Sequence, residues 1–327
     1  MAISICLALG VAEGLTRLFF PAFDPSGQYA FDYRVGDLRL ATPGAIARQK
    51  KNTGDFDVTV RINRLGLRDD KDASRATGDD IIVVGNSYAW GWGVEASQRF
   101  SDLVQAKTGI RVFNVTVPGD LETDLELLRY VRTLGAAPPR LAIVAVGLEY
   151  DIHVYGAPPA VEATDEVPSV RGWLSDRRLA FSHWLAGRSA AYVLALTAIH
   201  QTPWLNALGV RLGMIVPNFA GMSENVYAPE KIDTSVRLLQ QIAQSQKTLV
   251  VLIPSRGLWV GSERADEDKT HRALVTALRD RGIDVLDLRA AFEAGGAPLQ
   301  YHFANDGHWN ERGHALAADA IAARLGF

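Results

Sequence analysis

Residues 81–84, Ile-Ile-Val-Val, form an uninterrupted apolar run that Gly85 brings to a stop. A short run that is apolar on both of its alternating faces suits a strand buried on both sides, the situation in a parallel sheet covered by helices. Four further short apolar runs follow, at 110–115, 141–146 (ending at Gly147), 248–253 (stopped by Pro254) and 283–288. Between them lie helix-like segments: 97–107, then 120–134 with Leu121, Leu125, Leu128 and Val131 at helical spacing, and finally the Ala-rich 311–325. Strands alternating with helices predict an α/β fold with helices on both faces of a parallel sheet.

The remaining segments divide the chain further. Residues 1–20 are mostly apolar, interrupted by Glu13 and Arg17, and are expected to be an N-terminal membrane anchor or signal segment. Residues 21–79 read as a lead-in rich in turn formers, and 56–63 alternates apolar and polar residues as a half-exposed edge strand does. The charged stretch 69–79 reads as a solvated linker. The α/β domain would occupy 80–327, with an insert at 156–247 that is far longer than an ordinary crossover and is expected to be a helical cap or lid. A net charge of -3 without a basic stripe argues against a nucleic-acid partner, and the single cysteine, Cys6, excludes an internal disulfide.

Two stretches carry chemistry. Gly85-Asn86-Ser87 follows the first buried strand, at the sheet edge where open α/β proteins bind ligands. Taken alone it is also an ordinary turn. Asp306-Gly307-His308 follows the fifth strand and precedes the last helix, so it belongs to the same edge. A carboxylate two residues before a histidine can orient the imidazole, which can then take the proton of a serine hydroxyl. Ser87, His308 and Asp306 therefore make a Ser/His/Asp set.

Gly85-Asn86-Ser87 and Asp306-Gly307-His308-Trp309-Asn310 resemble the two end blocks of the SGNH (GDSL) hydrolase superfamily. Residues 61–69, Arg-Ile-Asn-Arg-Leu-Gly-Leu-Arg-Asp, and Gly91-Trp92-Gly93-Val94 resemble a membrane-anchored bacterial branch of it. The resemblance implies a three-layer α/β/α sandwich of flavodoxin-like strand order. It also implies Ser87 as nucleophile, His308 as base and Asp306 as its orienting partner, with no metal or organic cofactor. The second block matches 114–119, so the amide of Gly119 would join that of Ser87 in an oxyanion hole. In the third block, Gly147-Leu148-Glu149-Tyr150-Asp151, Tyr150 stands where the family has an oxyanion-donating Asn, and Asn86 replaces the usual Asp.

Other residues admit two readings each. Asn86, Tyr88, Trp90 and Arg256 are candidate substrate contacts, with Trp92 a further aromatic that could stack on a sugar. The aromatics also suit core packing, and Arg256 also suits an exposed surface position. His302, Asp306, His308 and His314 lack a metal-ligand spacing. Glu149 with Asp151 could instead be a glycosidase carboxylate pair. The expected function is serine-dependent ester hydrolysis, with an O-acetyl group on a carbohydrate or cell-envelope molecule as substrate, in a protein held at the cell membrane with its catalytic domain outside the cytoplasm. Acetyl transfer to a glycan through the same triad, and glycan binding without catalysis, are the alternatives.

Overall fold

The structure is a computed structural model that describes residues 2–25, 31, 33–149, 151–152, 181, 184–212, 215 and 227–327. They fall into two compact units. The first comprises the described residues of Met1–Tyr29, Arg48–Asp57 and Ala157–Pro217, and the second those of Ala30–Ala47, Val58–Gly156 and Asn218–Phe327.

In the first unit, helix α1 (Ala2–Phe19) packs with helix Ala190–Gln201. The Glu13 carboxylate joins them by accepting from Ser189 Oγ (2.7 Å), Ala190 N (3.0 Å) and Ala191 N (3.1 Å) at the start of the second helix. Arg17 Nε donates to the same carboxylate at 2.7 Å. The rest of α1 is mostly uncovered, and Leu7, Leu9, Val11, Leu15, Leu18 and Phe19 are all exposed. No helix of the described residues is long and apolar enough to cross a membrane.

The lead-in forms small sheets of its own. Strands β1 (Tyr33–Val35) and β2 (Leu38–Leu40) pair antiparallel, and β3 (Ile46–Lys50) pairs with β4 (Asp57–Arg61). β4 is the alternating run expected from sequence, with Val58 and Val60 buried between exposed neighbours.

The second unit is built on strands β5 (Ile81–Gly85), β6 (Val112–Asn114), β7 (Leu141–Gly147), β8 (Thr248–Ile253) and β9 (Asp284–Asp287). They form one parallel sheet in the order β6-β5-β7-β8-β9. This is the expected α/β fold, with the strands in flavodoxin-like order. Alternate residues face opposite layers, which is why the runs are apolar throughout. Ile82, Val84, Val144, Val146, Val250 and Leu252 face a core closed by helices Leu121–Thr133, Pro229–Ser245 and Arg264–Asp280. Ile81, Val83, Ile143, Ala145, Leu249 and Val251 face the other core, closed by helices Phe100–Thr108 and Glu311–Leu325.

Two expectations need correction. β9 is not a fully buried strand: it is one edge of the sheet, and Asp284 is exposed while its other residues are half-covered. Residues 69–79 are not a solvated linker. Asp69, Ala73 and Ala76 are buried, and the Asp69 carboxylate accepts from Asn114 N at 2.7 Å. Charged composition misled here because the charges are paired inward, with Lys71 Nζ 2.9 Å from Asp69.

Candidate active site

The Ser87 turn is fixed by its neighbours. Gly85 ends β5 with φ 147°, and a Cβ there would lie 2.7 Å from Ala145 O on the adjacent strand, so the tight exit requires glycine. Asn86 then caps the short helix α2 (Ser87–Trp90), its Oδ1 accepting from Tyr88 N at 3.0 Å. Gly91, with φ 85°, ends the helix in the left-handed region. Ser87 is thereby presented at the C-terminal edge of the sheet.

The second stretch meets it there. His308 Nε2 lies 2.7 Å from Ser87 Oγ, and His308 Nδ1 lies 2.5 Å from Asp306 Oδ1. Asp306 Oδ1 also accepts from His308 N at 3.0 Å, which fixes the carboxylate in the turn. An ionised carboxylate can only accept, so the imidazole proton sits on Nδ1 and leaves the Nε2 lone pair for the Ser87 hydroxyl. Asp306 is buried, while His308 keeps 19% of its side chain exposed toward the cleft.

The turn between Asp306 and His308 is held from beneath. Tyr88 Oη donates to Gly307 O at 2.9 Å. A Cβ on Gly307 would collide with the Arg256 guanidinium, so the turn rests directly on that group. Arg256 is itself buried and makes a forked ion pair with Glu149, its Nε donating to Oε2 at 3.1 Å and its Nη2 to Oε1.

A cleft of about 490 Å³ opens over the serine, lined by Asn86, Ser87, Trp92, Pro118, Gly119, Asp120, Thr123, Asp151 and His308. Gly119 closes the second block just ahead of helix α3 (Phe100–Thr108)'s successor α4 (Leu121–Thr133), which Asp120 caps by accepting from Thr123 N at 2.9 Å. Asp151 Oδ2 accepts from Asn86 Nδ2 (2.9 Å) and Gly147 N (2.8 Å). Burial raises the Asp151 pKa to about 7 against the pull of those two hydrogen bonds. Asp124, also buried, has its pKa pushed well above the usual carboxylate range by burial first and then by Asp151 and Asp120.

A match to the GDSL-like Lipase/Acylhydrolase family spans residues 83–316, more than half of the chain. The chain belongs to that family. Solved structures similar to this GDSL-like chain include a lipolytic protein of the G-D-S-L family from Veillonella parvula (12% identity, TM-score 0.44, covering 76% of this chain and 98% of that one). Another is LAE5, an alpha/beta hydrolase enzyme from the metagenome of Lake Arreo (14%, 0.44, 78% and 98%). A third is a catalytic mutant of an acetylxylan esterase from Geobacillus stearothermophilus (16%, 0.41, 78% and 97%). No curated protein sequence matches the chain significantly.

Of the GDSL-like chain's candidate residues, Ser87, His308, Asp306, Gly119 and Asn86 converge on the cleft. Tyr150 lies outside the described residues. Tyr88 and Trp90 go elsewhere, 2% and 1% exposed, because α2 turns both into the protein. Tyr88 packs on His308 and Trp309, and Trp90 beneath the Arg68 guanidinium. Arg256 is not a surface residue: it is buried, pairs with Glu149 and does not line the cleft over Ser87, and the same pairing engages the Glu149 carboxylate away from Asp151. His302 sits among Trp259 and Phe292, and His314 between Phe100 and Trp309. Burial first, then the Arg256 charge, lowers the His302 pKa to about 3, and burial with Arg99 and Arg68 nearby does the same to His314. The supports beneath the site (Tyr88 Oη, Arg256, Glu149) carry no short-range signal. They become visible only when distant loops meet.

Proposed function

We propose that the protein is a serine-dependent ester hydrolase acting through an acyl-enzyme. The observation that carries this reading is the continuous line Asp306–His308–Ser87, with contacts of 2.5 and 2.7 Å opening onto a cleft. Ser87 Oγ attacks the ester carbonyl carbon while its proton passes to His308 Nε2. The tetrahedral oxyanion is met by the amides of Ser87 and Gly119. Collapse expels the alcohol, which takes the proton from His308, and leaves the acyl group on Ser87. Water then attacks the acyl carbon as His308 takes its proton, and His308 returns that proton to Ser87 Oγ as the acid leaves. Asp306 holds the imidazole and stabilises its charged form throughout.

The substrate in this reading is an O-acetyl group on a carbohydrate or another cell-envelope molecule. Its support is the cleft over Ser87, which has room for a small ring and is lined by Trp92 and Pro118 together with the polar Asn86, Asp120, Thr123 and Asp151. The same reading keeps the protein at a membrane outside the cytoplasm through its N-terminal segment, supported by the exposed apolar side chains of α1.

The test is intact mass after treatment with a fluorophosphonate probe, for the parent chain and for Ser87→Ala and His308→Ala. One adduct on the parent, absent from both variants, is the expected result. A well-folded parent that takes no adduct sinks the reading and leaves a glycan-binding protein. Supplying an acceptor glycan with an acetyl donor then separates hydrolysis from transfer, since transfer puts the acetyl group on the glycan.

A further inference from the structure

The loop that follows the serine helix brings an aromatic ring onto the base. Trp92 lies against His308 with ring centroids 5.3 Å apart and an interplanar angle of 24°. Tyr88 approaches the same imidazole at 5.1 Å and 48°. Among the described residues the buried Trp92 Nε1 has no hydrogen-bond partner. The loop is not free to place this ring elsewhere. Gly91 and Gly93, with φ of 85° and 82°, turn on either side of it. Arg68, brought in from the lead-in, donates from Nη1 to Gly91 O (2.5 Å) and from Nη2 to Val94 O (2.6 Å), and its guanidinium covers Trp90 at 4.6 Å. Arg68 is 1% exposed.

An imidazole that takes a proton in the reaction becomes a cation, and an indole face attracts a cation more strongly the less water separates them. We propose that Trp92 is a catalytic residue of this site, its ring stabilising the imidazolium that His308 becomes when Ser87 gives up its proton. This rests on the reading of Ser87 as nucleophile and His308 as base.

The experiment measures kcat/KM for p-nitrophenyl acetate against pH with the full chain. Parent, Trp92→Leu, Trp92→Phe and Ser87→Ala are compared. The other charged or titratable groups around His308 are Asp306 on its own turn, Tyr88 against its ring, Arg256 with Glu149 beneath Gly307, His302, His314, and Asp120 and Asp151 across the cleft. Because Asp151 titrates near neutrality, the series is repeated in an Asp151→Asn background.

Loss of a desolvated cation–π contact is expected to lower the plateau of Trp92→Leu about tenfold and to move its acid limb down by about one pH unit. Trp92→Phe should keep most of the rate and most of the limb position. Uniform incorporation of fluorinated tryptophan, which weakens the ring's attraction for a cation without changing its shape, should move the limb in the same direction even if Trp92→Leu folds poorly. A rate equal to the parent's in Trp92→Leu overturns the proposal, as does a lowered rate with the limb unmoved in both the Leu and the fluorinated proteins. An active Ser87→Ala overturns the underlying reading itself, a result distinct from either.

Discussion

At the residue scale, Asp306 does two things with one oxygen, accepting from the backbone N and from the ring Nδ1 of His308. Asp306→Asn preserves size but removes the negative charge and allows an amide N–H to face the ring, favouring the wrong tautomer. Hydrolysis is expected to fall about 10³–10⁴-fold with the fold intact, a magnitude known for this change in other serine triads. Steady-state rates beside a thermal melt check it, and a loss below tenfold would remove Asp306 from the site. The hydrogen-bonded Ser87/His308/Asp306 set was legible in sequence because each member lies in a short block whose meaning is local: a strand-ending glycine before Ser87, and a carboxylate two residues before His308. Trp90 and Arg256 were not, since the direction of a side chain depends on what packs above it, and their partners come from 22 and 107 positions away.

At the element scale, the Asp-Gly-His turn depends on the β7 and β8 ends through Glu149 and Arg256. Both side chains are 7% exposed, so removing one strands the other's charge in the interior. Arg256→Met is expected to destabilise the protein by about 3–5 kcal/mol, and pairing it with Glu149→Leu should recover most of that loss. Urea unfolding of the two variants measures both, and equal losses in single and double variants would count against the argument. The cap of α4 is a smaller contribution: Asp120→Ala forfeits the bonds to Thr123 N and Oγ1 and should cost about 1 kcal/mol. The strands themselves were readable as apolar runs because β5, β7 and β8 are covered on both faces. The edge position of β9 was not, because an amphiphilic edge and a buried strand differ in neighbours more than in composition.

At the scale of the whole molecule, buried titratable groups oppose one another. Asp151 ordinarily ionises near 3.8, but in the folded protein it holds its proton to about 7. The unfolded chain therefore releases that proton first, and the stability this group contributes in acid is lost as pH rises through about 7. His302 and His314 act in the other direction, since their folded pKa values of about 3 lie below 6.5 and their contribution is lost as pH falls. Asp151→Asn can keep both hydrogen bonds to Asn86 and Gly147 without the charge. Its melting temperature should match the parent's near pH 4 and exceed it increasingly toward pH 8. A constant difference across that range would show that Asp151 does not titrate with folding. The apolar exterior of α1 is also a property at this scale, and the chain is expected to float with lipid vesicles, an association weakened by Leu7→Glu with Leu15→Glu.

The sequence by itself determined the parallel α/β sheet and pointed to the Ser87, His308 and Asp306 side chains that meet at its edge, because periodicity, strand-ending glycines and the Asp-Gly-His spacing are local properties of the chain. Only the tertiary structure decided that Arg256 serves Glu149, that Arg68 pins the Trp92 loop and that Asp69 is buried beneath the second block. Those assignments depend on which charges meet inside a low-dielectric interior. Such meetings are fixed by the packing of segments far apart in the chain, which no short stretch of sequence encodes.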